Sequence, residues 1–142
     1  MNRGLAFAAI AVLIAAAAAF GWWVASEAER RRQLAFGGRI YAERCSSCHG
    51  KNLEGQPDWQ SPLPSGRLPA PPHDASGHTW HHSDRELFTI TRDGMAAVVP
   101  DYESDMPVFV ESLTDGEIRT VIEFIKSTWP ERERAYQEAR NR

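Results

Sequence analysis

Cys45-Ser46-Ser47-Cys48-His49 sets two thiols three positions apart, with an imidazole directly after the second. These are the only cysteines among 142 residues, which excludes a multi-disulfide scaffold and leaves one shared site for the pair. Upstream, Gln33 to Cys45 reads as a first helix, with Leu34, Ile40 and Tyr41 apolar and Gly37-Gly38 in its middle. Two glycines inside a helix cost about 1 kcal/mol each relative to alanine, which points to another helix approaching closely there. Downstream, Asn52 to Asp74 carries Pro57, Pro62, Pro64, Pro69, Pro71 and Pro72, which forbid a long helix. A loop of that length within a compact domain as a rule wraps something or is functional.

The C-x-x-C-H spacing has a physical logic. Two thiols three residues apart reach the two vinyl positions along one haem edge, and the adjacent imidazole is then held under the iron as proximal ligand. A thioredoxin-like redox dithiol belongs near a βαβ pattern, which the sequence lacks. A structural zinc site needs four ligands, and there is no second cysteine pair. On the distal side, a methionine thioether stabilises ferrous iron and raises the potential. Apart from Met1, the methionines are Met95, just past a helix end, and Met106, 57 residues after His49 in an irregular loop stiffened by Pro107. Met106 is the expected distal ligand; Met95, a histidine or an open site are the alternatives.

Two further helices carry start signals. Ser83 and Glu86 form a capping box opening a helix through about Arg92, ended by Gly94, with Leu87, Phe88 and Ile90 on its buried side. Thr114 and Glu117 form a second box. Behind it Ile118, Val121, Ile122, Ile125 and Trp129 make one apolar stripe, and Pro130 stops the helix. No strand signal appears.

The ends differ in character. Residues 1–25 hold a short positive start, Met1-Asn2-Arg3, and an uncharged apolar run from Leu5 to Ala25, long enough to span about 30 Å of hydrocarbon. Trp22 and Trp23 suit an interfacial aromatic belt. The rival reading is a signal peptide cut after Ala17-Ala18-Ala19. Arg30-Arg31-Arg32 opposes an N-in orientation, so export rests on the cofactor chemistry. Residues 26–32 read as a charged linker, 33–130 as the domain, and 131–142 as an Arg/Glu tail, a solvated helix or disorder. Gln33 to Pro130 holds 8 basic and 14 acidic side chains, a formal charge of −6, which argues against nucleic acid.

Taken together, these motifs resemble the class I c-type cytochromes, of the small membrane-anchored or periplasmic bacterial kind. The resemblance covers about Gln33 to Trp129. It rests on the helix running into Cys45-Ser46-Ser47-Cys48-His49-Gly50, on Asp105-Met106-Pro107-Val108-Phe109, on Leu113-Thr114-Asp115-Gly116-Glu117-Ile118, and on Ile125-Lys126-Ser127-Thr128-Trp129-Pro130. It implies an all-α fold with crossed first and last helices around one covalent haem c, Gly38 and Tyr41 meeting Ile122, Ile125 or Trp129. It also implies single-electron transfer without substrate turnover, to partners such as a membrane respiratory complex or a periplasmic oxidoreductase. The alternatives are a haem subunit of a larger membrane complex, or a haem enzyme with an open or displaceable distal ligand. Localisation follows as the bacterial inner membrane, single-pass with the haem domain in the periplasm, or the soluble periplasm after cleavage.

One stretch departs from the small-cytochrome pattern. His73, His78, His81 and His82 fall within ten residues around Trp80. They read as local structure or propionate partners, as a second copper or zinc site, or as an axial ligand in place of Met106.

Overall fold

The computed structural model describes residues 3–142, apart from the side chains of Leu5 and Ala6; Met1 and Asn2 of the positive start lie outside the described residues. The described residues form helices and loops without a strand. The helices are α1 (Arg3–Arg44), α2 (Ser46–His49), α3 (Asp84–Asp93), α4 (Asp115–Ser127) and α5 (Glu131–Arg140), with 3₁₀ turns at Thr79–His81 and Met95–Ala97. Two compact units divide between Gln33 and Leu34.

The first unit is the amino-terminal part of α1. Its apolar side chains are exposed, Phe7, Leu13, Phe20 and Trp22 among them, and the helix is long and apolar enough to cross a membrane. Residues 26–32, expected as a linker, are helical. Glu27 pairs with Arg30 at 2.8 Å and Arg31 at 3.4 Å, and Glu29 with Arg32 at 3.5 Å. These i,i+3 and i,i+4 pairs favour helix by a few tenths of a kcal/mol each.

The second unit has a core of Ile40, Tyr41, Leu53, Leu87, Phe109 and Trp129 together with the α4 stripe Ile118, Val121, Ile122 and Ile125. Both expected capping boxes are formed: Ser83 with Glu86 opens α3, and Thr114 with Glu117 opens α4. The close approach anticipated at the glycine pair is also present. Nearest to the two glycines are Thr120 and Phe124 rather than the Ile122, Ile125 or Trp129 expected opposite Gly38, whereas Tyr41 shares the core with those three. A Cβ on Gly37 would overlap the Thr120 carbonyl oxygen and lie 2.8 Å from Phe124 Cβ. Tyr41 meets Phe124 ring to ring at 5.7 Å.

The tail is not a free helix. Gln137 of α5 is completely buried and Glu133 nearly so, because α5 packs on the Thr79–His81 turn. Asp84, at the start of α3, gathers the contacts. Its carboxylate accepts from Gln137 Nε2 (2.7 Å), Lys126 Nζ (2.7 Å) and Asn141 Nδ2 (3.0 Å), and its backbone N–H donates to Asn141 Oδ1 (2.8 Å). Hydrogen bonds to a charged group are worth about 1.5–3 kcal/mol. Gln137→Ala is therefore expected to destabilise the protein by about 2 kcal/mol in urea unfolding, whereas Glu138→Ala, on the exposed side of the same helix, stays near zero.

Candidate functional site

The C-x-x-C-H stretch forms the junction between the end of α1 and α2. The Cys45 and His49 amides continue the helical bonding to Tyr41 and Cys45 carbonyls at 2.9 and 3.0 Å. Tyr41, buried in the core, donates its hydroxyl to the Gly50 carbonyl at 2.8 Å, with the His49 carbonyl 3.2 Å away. That bond ties α1 to the turn after the motif. Both thiols are unpaired, Cys45 half-buried and Cys48 exposed. Burial pushes the Cys45 thiol up to about 11, with the neighbouring Cys48 adding to it, so the sulfur is uncharged at neutral pH.

His49 is 7% exposed. Burial holds its imidazole below the usual range, against a smaller opposite effect from a hydrogen bond to the Pro71 carbonyl. A neutral imidazole is the form a metal ligand needs. The Pro71 oxygen lies 2.9 Å from Nδ1. A carbonyl can only accept, so Nδ1 carries the proton and the lone pair is on Nε2.

The proline-rich loop brings that carbonyl back over 22 residues. Gly55 donates to the His49 carbonyl (2.8 Å), Gln56 and Ala70 bond each other at 2.9 and 2.8 Å, and His73 donates to the Leu53 carbonyl (2.8 Å). Gly55 has φ +71° and lies against Pro71 and Pro72, where a Cβ would stand 2.5 Å from the Pro72 nitrogen. Only glycine satisfies both conditions. From α4's end, Trp129 Nε1 donates to the His73 carbonyl at 2.7 Å.

Met106 is half-buried and packs against the core, as does Cys45; Met95 is not among the side chains packed there. The residues just before Met106 are anchored to the proline-rich loop by Arg67, which pairs with both Asp105 and Glu103, the latter at 3.5 Å. These charges are exposed, so the pairing positions the loop more than it stabilises it.

The four loop histidines separate. His73 stacks face to face on His49, ring centroids 3.9 Å apart. His78 stacks on Trp59 at 5.2 Å with His82 edge-on to it at 5.4 Å, and His81 is edge-on to Trp80, 3.9 Å away, and near Tyr136 of α5. Among the described residues no three His, Cys, Asp or Glu side chains converge as a metal site. Three buried nitrogens of the described residues, Arg67 Nε, His78 Nδ1 and Trp80 Nε1, have no hydrogen-bond partner; Arg67 Nε faces Glu103 at 3.5 Å, and the Trp80 indole nitrogen always carries its proton. An orphaned buried N–H calls for an acceptor, and a carboxylate such as a haem propionate is one.

The donor set fits a covalently attached haem: two free thiols, a neutral buried imidazole with one nitrogen already occupied, a thioether at the core, and a partnerless Trp80 N–H on a side chain packed against the same core. The Pro71 carbonyl, the His73 stack and the Arg67 anchor were not legible beforehand. A backbone acceptor has no residue signature, and the other two join positions far apart in sequence. No curated protein and no solved structure matches the chain. The family model described as Cytochrome c matches residues 34–129, the interval holding α4, the C-x-x-C-H motif and its loops. The chain thus belongs to the cytochrome c family, whose members bind covalently attached haem c and carry electrons.

Proposed function

We propose that the chain is a single-electron carrier of a respiratory-type chain, with Cys45 and Cys48 as the thioether attachments, His49 as proximal ligand and Met106 as distal ligand. The observation that carries the reading is the His49 side chain. It is buried, neutral and bonded through Nδ1 to Pro71, with Nε2 left over and two free thiols within four residues. When bound, the haem supplies an iron that accepts and returns one electron. The residues of the chain keep that exchange simple. Pro71 fixes the tautomer and direction of His49, the apolar core keeps water from the iron, and a sulfur ligand favours the reduced state.

Met106 rather than Met95 is supported by its packing against the core and by Arg67 holding Glu103 and Asp105, the two carboxylates just before it. Met106→Ala is expected to abolish the sulfur-to-iron absorption band of the oxidised protein completely and to lower the reduction potential, while Met95→Leu leaves both unchanged. A band that survives Met106→Ala rejects the assignment. In the same reading, the apolar part of α1 anchors the chain in the bacterial inner membrane, with the haem domain in the periplasm. Redox partners are then a membrane respiratory complex or a periplasmic oxidoreductase. The acidic domain favours a partner with a basic docking face.

A further inference from the structure

His73 has no role in the ligand set, yet its ring, its backbone N–H and its carbonyl are all engaged. Its ring lies on the His49 ring at 3.9 Å with 21° between the planes. Its backbone N–H is given to Leu53 and its carbonyl accepts from Trp129. Its Nδ1 is 2.8 Å from Thr79 Oγ1, whose hydroxyl also reaches the Pro72 carbonyl at 3.3 Å. Tyr41 closes the arrangement edge-on at 6.3 Å. Thr79 belongs to the turn on which α5 packs, so a helix beyond residues 34–129 backs the same contact.

A single hydrogen bond from Nδ1 to Pro71 directs the His49 ring but leaves it free to rock about that bond. A flat partner against its face removes this freedom, because rocking would drive ring atoms into ring atoms at van der Waals distance. We propose that His73 is a positioning residue for the proximal ligand, its stacked ring setting the plane in which the His49 imidazole presents Nε2. The inference rests on the haem reading above. Orientation of an axial imidazole governs how unpaired spin spreads over the porphyrin, so the effect is visible in the oxidised state without any assay of electron transfer.

The full chain, exported and matured, is compared as wild type, His73→Leu, His73→Phe and Thr79→Val. Pyridine haemochrome spectra first count covalent haem; its absence from the wild type overturns the haem reading and this inference with it. With haem present, proton NMR of the ferric protein reads the order and spread of the shifted haem methyl resonances. His73→Leu, which keeps bulk but loses the flat face, is expected to reorder or spread them and to shift the reduction potential. His73→Phe, which keeps a flat ring, should retain the wild-type pattern. Thr79→Val, which removes the anchor while keeping the shape, should produce a smaller shift in the leucine direction. A wild-type pattern in His73→Leu, or an equal displacement in leucine and phenylalanine variants, overturns the inference while leaving the haem intact. If His73→Leu does not fold, a wild-type pattern in Thr79→Val overturns it equally. A packing role alone would lower the melting temperature and leave the methyl order untouched.

Discussion

Exported Cys45→Ala/Cys48→Ala protein is expected to carry no haem that survives denaturation. Haem staining of a denaturing gel should fall from full intensity to background, and acid acetone should extract whatever haem is present. The thiols are free and sit one helical turn apart at the start of α2, the geometry two thioethers require. With both removed, the proposed ligands His49 and Met106 would be left as two monodentate contacts, which bind far less firmly than covalent bonds. The single variants separate the two attachments. Each should retain staining through one thioether, with a shifted haemochrome band reporting the vinyl group left unsaturated. Cys45, half-buried against the core, is expected to cost more stability on replacement than exposed Cys48. Full staining of the double variant would remove the basis of the assignment.

The second large effect lies away from the cofactor. Gly37→Ala is expected to destabilise the domain by about 2 kcal/mol or more, since overpacking costs up to about 3 kcal/mol and more against unyielding backbone, and helix propensity returns about 1. The obstacle is the Thr120 carbonyl, part of α4's own backbone, with Phe124 Cβ behind it. Neither can step aside without separating the helices. For a domain of this size the melting temperature should fall by roughly 8–16 °C. Gly38→Ala is the control. Its Cβ would meet only the outer edge of the Phe124 ring, 3.1 Å away, and that ring can swing by the few tenths of an ångström required. Its propensity gain and its small clash nearly cancel, so its stability should stay within about 1 kcal/mol of wild type. Equal losses at the two glycines, read from thermal melts of the haem-loaded protein, would show that the crossing is softer than its geometry.

Much of the fold could be read locally. Capping boxes at Ser83 and Thr114 and the apolar stripe of α4 act within a few turns of chain and are formed as expected, although α4 ends at Ser127, short of Trp129 and Pro130. The glycine pair announced a close approach but not its partner, because which face of α4 meets α1 is set by the crossing angle rather than by either helix alone. The charged runs were legible only in part. Residues 26–32 read as a charged linker and 131–142 as a solvated helix or disorder; the first is helical, with ion pairs along it, and the second is a helix docked through Gln137 and Asn141 onto Asp84, more than fifty residues away. Polarity does not exclude burial when each polar atom finds a partner.

Order along the chain was enough to name the chemistry, since C-x-x-C-H needs nothing beyond adjacent residues to bring its three donors together. Folding in three dimensions decided how those donors are held. A proline-punctuated loop returns a main-chain oxygen to the imidazole, lays one histidine of a cluster of four on its face, stacks a second on Trp59, and leaves the other two edge-on to Trp80 and His78. The two contacts on His49 join positions 22 and 24 residues apart and follow no period, so the path of the backbone, and not the identity of the residues, determines them.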